Sequence, residues 1–166
     1  MQPRNMLTQS HILTTVHTDS SRDDISRQEC HCVGVMGKIR VLLADDHAAM
    51  LDGVRAVLGD EFDIVGTVNN GRDALVETRR LDPDVLVLDI SMPGLNGLQA
   101  ANELRSAHRR TKVVFLTVHE DPDFVAAAFS AGASAYVIKS DVATDLVPAI
   151  HDALEGRRYI SQAISS

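Results

Sequence analysis

From residue 38 onward the chain alternates between two hydrophobic periods. Short, continuously apolar runs at 39–44, 63–68, 84–88, 112–117 and 135–139 are separated by longer segments in which apolar residues recur every three to four positions. In the last such segment Leu146, Ala149, Ile150, Ala153 and Leu154 fall at i, i+3, i+4, i+7 and i+8, one apolar stripe with Gly156 as its stop. Runs this apolar predict strands buried on both faces of a parallel sheet. Five strand–helix units in succession predict an α/β fold, a doubly wound five-stranded parallel sheet. Pro148 interrupts the last helical pattern; with Thr144 or Asp145 as N-cap it falls in or just beyond the first turn, where a missing N–H costs least.

Residues 1–36 carry no apolar periodicity and are rich in Ser, Thr, Gln and Asp, which predicts a disordered or loosely packed N-terminal extension before a domain over 37–160. Met36-Gly37-Lys38 directly precedes the first run, which suggests Met36 as an alternative start of the chain. At 166 residues and 45% apolar, the length suits one sizeable core and a tail, with 161–166 as a C-terminal tail or the start of a linker. Cys30 and Cys32 are one residue apart, a poor spacing for a bridge, and no zinc-ligand pattern accompanies them. No stretch approaches the roughly 20 apolar residues of a membrane span, nor does the N-terminus hold a secretion signal, so a cytoplasmic location and no membrane contact are expected.

Net charge is -7. Residues 1–37 hold three arginines against four carboxylates, so the remainder carries -6, which argues against direct nucleic-acid binding by this body. The pairs Arg79-Arg80, Arg109-Arg110 and Arg157-Arg158 sit near predicted helix ends, where cations favour the helix dipole.

The chemistry concentrates where the runs stop: the first on Asp45-Asp46, the third on Asp89, the fourth on Thr117, the fifth on Lys139. In a parallel sheet the crevice at the carboxyl ends of the strands is where ligands bind. Carboxylates within about 4 Å of one another repel by some 4 kcal/mol per pair at an effective dielectric near 20, so a positive group must offset them. A hard divalent cation suits such oxygen ligands, and Mg²⁺ keeps waters and accepts phosphate oxygens directly. With Lys139 and the Thr117 hydroxyl, the site could spread charge over a transferring phosphoryl group. The acidic pair reads as the metal holder and the solitary Asp89 as the nucleophile.

Several segments match a known family. The acidic pair in Leu42-Leu43-Ala44-Asp45-Asp46-His47, the segment Leu88-Asp89-Ile90-Ser91-Met92-Pro93-Gly94-Leu95-Asn96-Gly97, Leu116-Thr117, and Ala135-Tyr136-Val137-Ile138-Lys139 together resemble the receiver domain of bacterial two-component response regulators. The resemblance implies a flavodoxin-like (βα)5 fold with strand order 2-1-3-4-5. It also implies that Asp89 accepts a phosphoryl group from a sensor histidine kinase. Asp46 and Asp89 would ligate Mg²⁺ directly, Asp45 largely through water, and the Ser91 backbone carbonyl would complete the set. By the same resemblance Thr117 and Tyr136 form a switch pair: the hydroxyl turns toward the phosphoryl oxygens and Tyr136 moves inward, remodelling the face of the fourth helix and fifth strand.

Ser140 stands where many receivers have proline after the lysine, so no proline-linked cis bond is assumed. That substitution, with Asp45-Asp46-His47 and Gly156-Arg157-Arg158-Tyr159-Ile160-Ser161, resembles the subfamily carrying a LuxR or NarL-type helix-turn-helix, a DNA-binding output domain absent from this chain. Transcription regulation is the output implied; a stand-alone receiver acting through protein contact is the alternative. Most of the apolar stretch Phe124-Val125-Ala126-Ala127-Ala128-Phe129 reads as core, and the excess fits a face that pairs with a second receiver or an output domain once switched, or equally a good helix former. Ser91 and His119 stand two residues beyond Asp89 and Thr117, at positions that border the path of hydrolytic water in the family. That spacing suggests that His119 tunes the lifetime of the phosphorylated state.

Two other readings share parts of this pattern. An aspartyl-nucleophile phosphatase would want an acid/base Asp two residues after the nucleophile, where Ser91 stands; a flavodoxin-like electron carrier would need a phosphate loop where Asp45-Asp46 would repel it.

Overall fold

The architecture comes from a computed structural model that describes residues 37–107 and 110–165. The N-terminal extension with Cys30, Cys32 and Met36, and Arg109 of one basic pair, lie outside the described residues. The elements run β1 (Ile39–Ala44), α1 (Ala48–Leu58), β2 (Phe62–Val68), α2 (Gly71–Leu81), β3 (Val85–Leu88), α3 (Gly97–Ala107), β4 (Lys112–Thr117), α4 (Pro122–Ser130), β5 (Ala135–Ile138), α5 (Val142–Leu154), β6 (Tyr159–Ile160) and α6 (Gln162–Ser165). All five expected strands form, and every pairing is parallel in the order β2-β1-β3-β4-β5-β6. This is the expected doubly wound, flavodoxin-like receiver fold, with a sixth strand added.

Because each central strand buries both faces, its side chains feed two separate cores. On one face Leu42, Leu86, Leu88, Phe115, Tyr136 and Ile138 meet Ala74 and Leu75 of α2, Ala100 and Leu104 of α3, and Ala128 of α4. On the other, Val41, Leu43, Val87, Val114 and Val137 meet Val54 and Leu58 of α1 and the stripe Leu146, Ala149, Ile150 and Ala153 of α5. The helix starts are chemically marked. Asn70 caps α2 by accepting the Asp73 N–H at 2.8 Å, and Asp121 caps α4 by accepting that of Asp123 at 2.8 Å with Pro122 following. At α3, Asn96 accepts the Gln99 N–H at 2.9 Å while Gln99 Oε1 accepts the Asn96 N–H at 3.1 Å, a reciprocal box.

Two expectations are corrected. The sheet has six strands: β6 pairs with β5 through Ala135↔Tyr159 and Tyr136↔Ile160, so β5 is not an edge. Two residues are too few to carry a periodic signal. The segment beyond Ile160 is packed too, with Ser161 fully buried and a short helix to Ser165. Pro148 lies inside α5 and not in its first turn, because a 3-10 turn at Lys139–Asp141 runs straight into the helix and starts it at Val142. Its ring is on the exposed face, and the Thr144 carbonyl, which loses its partner N–H, belongs to an exposed residue that water can reach.

Candidate functional site

The direction of winding reverses between β1 and β3, and the crevice at such a point is a ready ligand site. Ala44 and Leu88 are register partners there, which puts Asp45 and Asp89 side by side as the next residues of each strand. Backbone bonds hold them: Asp89 N–H donates to the Ala44 carbonyl at 2.9 Å and Asp45 N–H to the Val68 carbonyl at 3.1 Å. Asp45 and Asp89 are buried, while Asp46 faces solvent one residue on.

Lys139, leaving β5, reaches across to both buried acids, its Nζ 2.7 Å from Asp45 Oδ2 and 3.1 Å from Asp89 Oδ2. Burial pushes the Asp89 carboxyl above the ordinary range; Lys139 opposes the shift and the charge on Asp45 adds to it. Burial alone would disfavour the Lys139 ammonium, but its hydrogen bonds and charge contacts with the two aspartates outweigh that and raise it. The lysine therefore stays charged and neutralises part of the acidic pocket.

Carboxylate oxygens of Asp45, Asp46 and Asp89 and a ring nitrogen of His47 all lie within 4.8 Å of one another, close enough to share one metal ion. Three hard oxygens fit a hard divalent cation. His47 was not singled out from the sequence. It ends the β1–α1 turn, with Nδ1 2.9 Å from Asp46 Oδ1 and 3.3 Å from Asp45 Oδ1, so its proximity follows directly from the three-residue run Asp45-Asp46-His47.

Thr117 closes β4 opposite Ile138, at the same end of the sheet as Lys139, and its buried Oγ1 accepts the His119 N–H at 3.3 Å. Ser91 is exposed and its N–H donates to Asp89 Oδ1 at 3.3 Å. Its hydroxyl lies 2.8 Å from His119 Nε2, and the His119 ring stacks on Phe124 with centroids 4.1 Å apart, contacts that no spacing rule in the sequence announces. Tyr136 is fully buried. Its hydroxyl donates to the His119 carbonyl at 2.8 Å, and burial, with a smaller contribution from Asp121, pushes the phenol up to about 12. From this conformation the ring has no inward movement left.

Gly97 also matters to the site. A Cβ there would lie 2.1 Å from the Asp89 carbonyl oxygen and 2.9 Å from the Ile90 Cα, so only glycine lets the start of α3 close on the Asp89 segment. That approach is fastened by the Gly97 N–H donating to the Ile90 carbonyl at 3.0 Å. Gly94, at φ 75°, turns the intervening loop.

Comparison with known proteins is consistent across sequence and structure. Residues 41–151 match the model of the response regulator receiver domain. The response regulator GacA of Pseudomonas viridiflava is 38% identical over 129 residues, covering 76% of this chain and 60% of that protein. A two-component response regulator of the LuxR family from Aurantimonas superposes with TM-score 0.73 at 33% identity, covering 78% of this chain and 94% of the other. The isolated receiver domain of RcsB from Salmonella enterica serovar Typhimurium, solved in the presence of the phosphomimetic BeF3-, gives TM-score 0.71 at 25% identity, over 78% of this chain and 97% of that one. The chain spans about 60% of the length of GacA. Among the described residues no helix is long and apolar enough to cross a membrane.

Proposed function

The chain belongs to the response regulator receiver domain family, and from that membership we propose that residues 37–160 act as a phosphorylation-operated switch with Asp89 as the acceptor. The observation that carries this reading is Lys139 bridging Asp45 and Asp89 at 2.7 and 3.1 Å, beside Asp46, at the switch point of the sheet. A carboxylate oxygen of Asp89 attacks the phosphorus of a phosphohistidine on a sensor kinase; the O–P bond forms as the P–N bond breaks, and the imidazole departs. Asp45, Asp46, Asp89 and the Ser91 carbonyl would hold Mg²⁺, which when bound would supply charge neutralisation for the phosphoryl oxygens. Lys139 meets one of those oxygens as an ammonium, and Thr117 meets another as a hydroxyl donor.

Thr117 and Tyr136 form the switch. When the Thr117 hydroxyl turns to the phosphoryl group, the Tyr136 ring fills the space beside it; the full burial of Tyr136 supports such packing. The phosphoryl group shifts an equilibrium between two such states and does no chemistry on an external substrate, so the domain is not an enzyme in the ordinary sense. It works in the cytoplasm, with a homodimer as its phosphorylated form, and controls transcription.

Incubation with acetyl phosphate and Mg²⁺ should add one phosphoryl mass, absent in Asp89→Asn and without the ion. Release of inorganic phosphate at many turnovers per second would favour the phosphatase instead, and unmodified wild-type protein would remove the acceptor role altogether.

A further inference from the structure

The sixth strand is attached to the residue proposed as the switch. Ser161 N–H donates to the Tyr136 carbonyl at 2.9 Å, and the Ile138 N–H donates to Ser161 Oγ at 3.0 Å, so a single buried serine brackets Val137 and holds β5 directly after Tyr136. Ile164 of α6 then packs against the apolar cluster that contains Tyr136. The Arg158 guanidinium sits 5.0 Å over the Phe129 ring, tying the start of the segment to α4. On its other side, Tyr136 binds the His119 carbonyl, and His119 meets Ser91 of the acceptor loop at 2.8 Å. Contacts therefore run without interruption from the residue beside Asp89 to the C-terminal segment.

The segment is short: only two residues pair in β6, Ile160 is partly exposed, and α6 is a single turn, so it can open locally without unfolding the central strands. Lifting it would uncover the Tyr136 carbonyl and the Ile138 N–H as an open strand edge. With the segment in place, Ile164 supports the cluster around the buried ring.

We propose that residues 158–165 form a detachable latch on the β5 edge, whose docked state and the buried position of Tyr136 stabilise each other. Modification at Asp89 is thereby reported at the point where the chain leaves the sheet. This rests on the acceptor reading of Asp89 given above. Coupling of this kind is reciprocal, so a ligand at the acid pocket must tighten the latch by the factor by which a closed latch tightens the ligand.

The test is hydrogen exchange of the full chain by mass spectrometry, with Mg²⁺ alone and with Mg²⁺ plus beryllofluoride. Exchange in peptides covering 158–165 should slow by roughly tenfold, a coupling in the ordinary range for linked sites. Ser161→Ala and, separately, Ile164→Ser should each raise the half-saturating beryllofluoride concentration while leaving the far-ultraviolet circular dichroism unchanged. Slowed exchange at 89–97 with unchanged or faster exchange at 158–165 overturns the latch and leaves the acceptor reading standing. No response at 89–97 overturns the acceptor reading, and the latch with it.

Discussion

Removing the ammonium from the pocket tests the electrostatics of the site directly. In Lys139→Met, a change that keeps most of the stem's length and apolar contact, Asp45 Oδ2 and Asp89 Oδ2 lose the nitrogen that both now approach, at 2.7 and 3.1 Å. Sharing that nitrogen means the two oxygens are at most about 6 Å apart, and at an effective dielectric near 20 their repulsion is ~3 kcal/mol. Breaking a buried pair by deleting one partner costs about the same, ~3–5 kcal/mol. For a body of this size that lowers the melting temperature by roughly 10 °C. The sign of the pH dependence follows from Asp89, whose carboxyl is raised by burial. The stability tied to its neutral form is present at low pH and lost as pH rises through the raised value, so the deficit of the variant should be largest at neutral pH and narrow on acidification. Thermal melts in chelator from pH 4.5 to 8 would measure it. A variant that melts with the wild type at neutral pH, or a deficit that widens as the solution is acidified, would refute the reasoning.

Other outcomes follow from individual contacts. Gly97→Ala places a methyl 2.1 Å from the Asp89 carbonyl oxygen and should destabilise by about 1–3 kcal/mol or more, with weakened Mg²⁺ binding, both read from melts with and without the ion. Mg²⁺ at about one hundred times its dissociation constant should stabilise the wild type by ~2.7 kcal/mol, and the gain should largely vanish in Asp46→Ala. His119→Ala loses the 2.8 Å contact to Ser91 and should change the lifetime of phospho-Asp89; equal decay rates in variant and wild type would remove that role.

The strands were legible because burial on both faces leaves an unbroken apolar run, and the acid pocket was legible because each of its residues directly follows such a run. Val85 to Leu88 needs no partner to be recognised, and Asp89 inherits its place from them. What escaped was set by backbone pairing and not by composition. Tyr159 and Ile160 become a strand only because β5 offers an edge. Pro148 lies deeper in the helix than expected because the 3-10 turn at Lys139–Asp141 makes Asp141 the N-cap, ahead of Thr144 and Asp145. The contact between His119 and Ser91 joins loops 28 residues apart, beyond the reach of local periodicity.

The lysine bridge has a consequence for what the pocket accepts. Three carboxylates against one ammonium leave two negative charges over, which a single divalent ion cancels. On the proposed reading, a phosphoryl group arriving on Asp89 would turn a monoanion into a dianion, so the loaded pocket would end one charge short of neutrality.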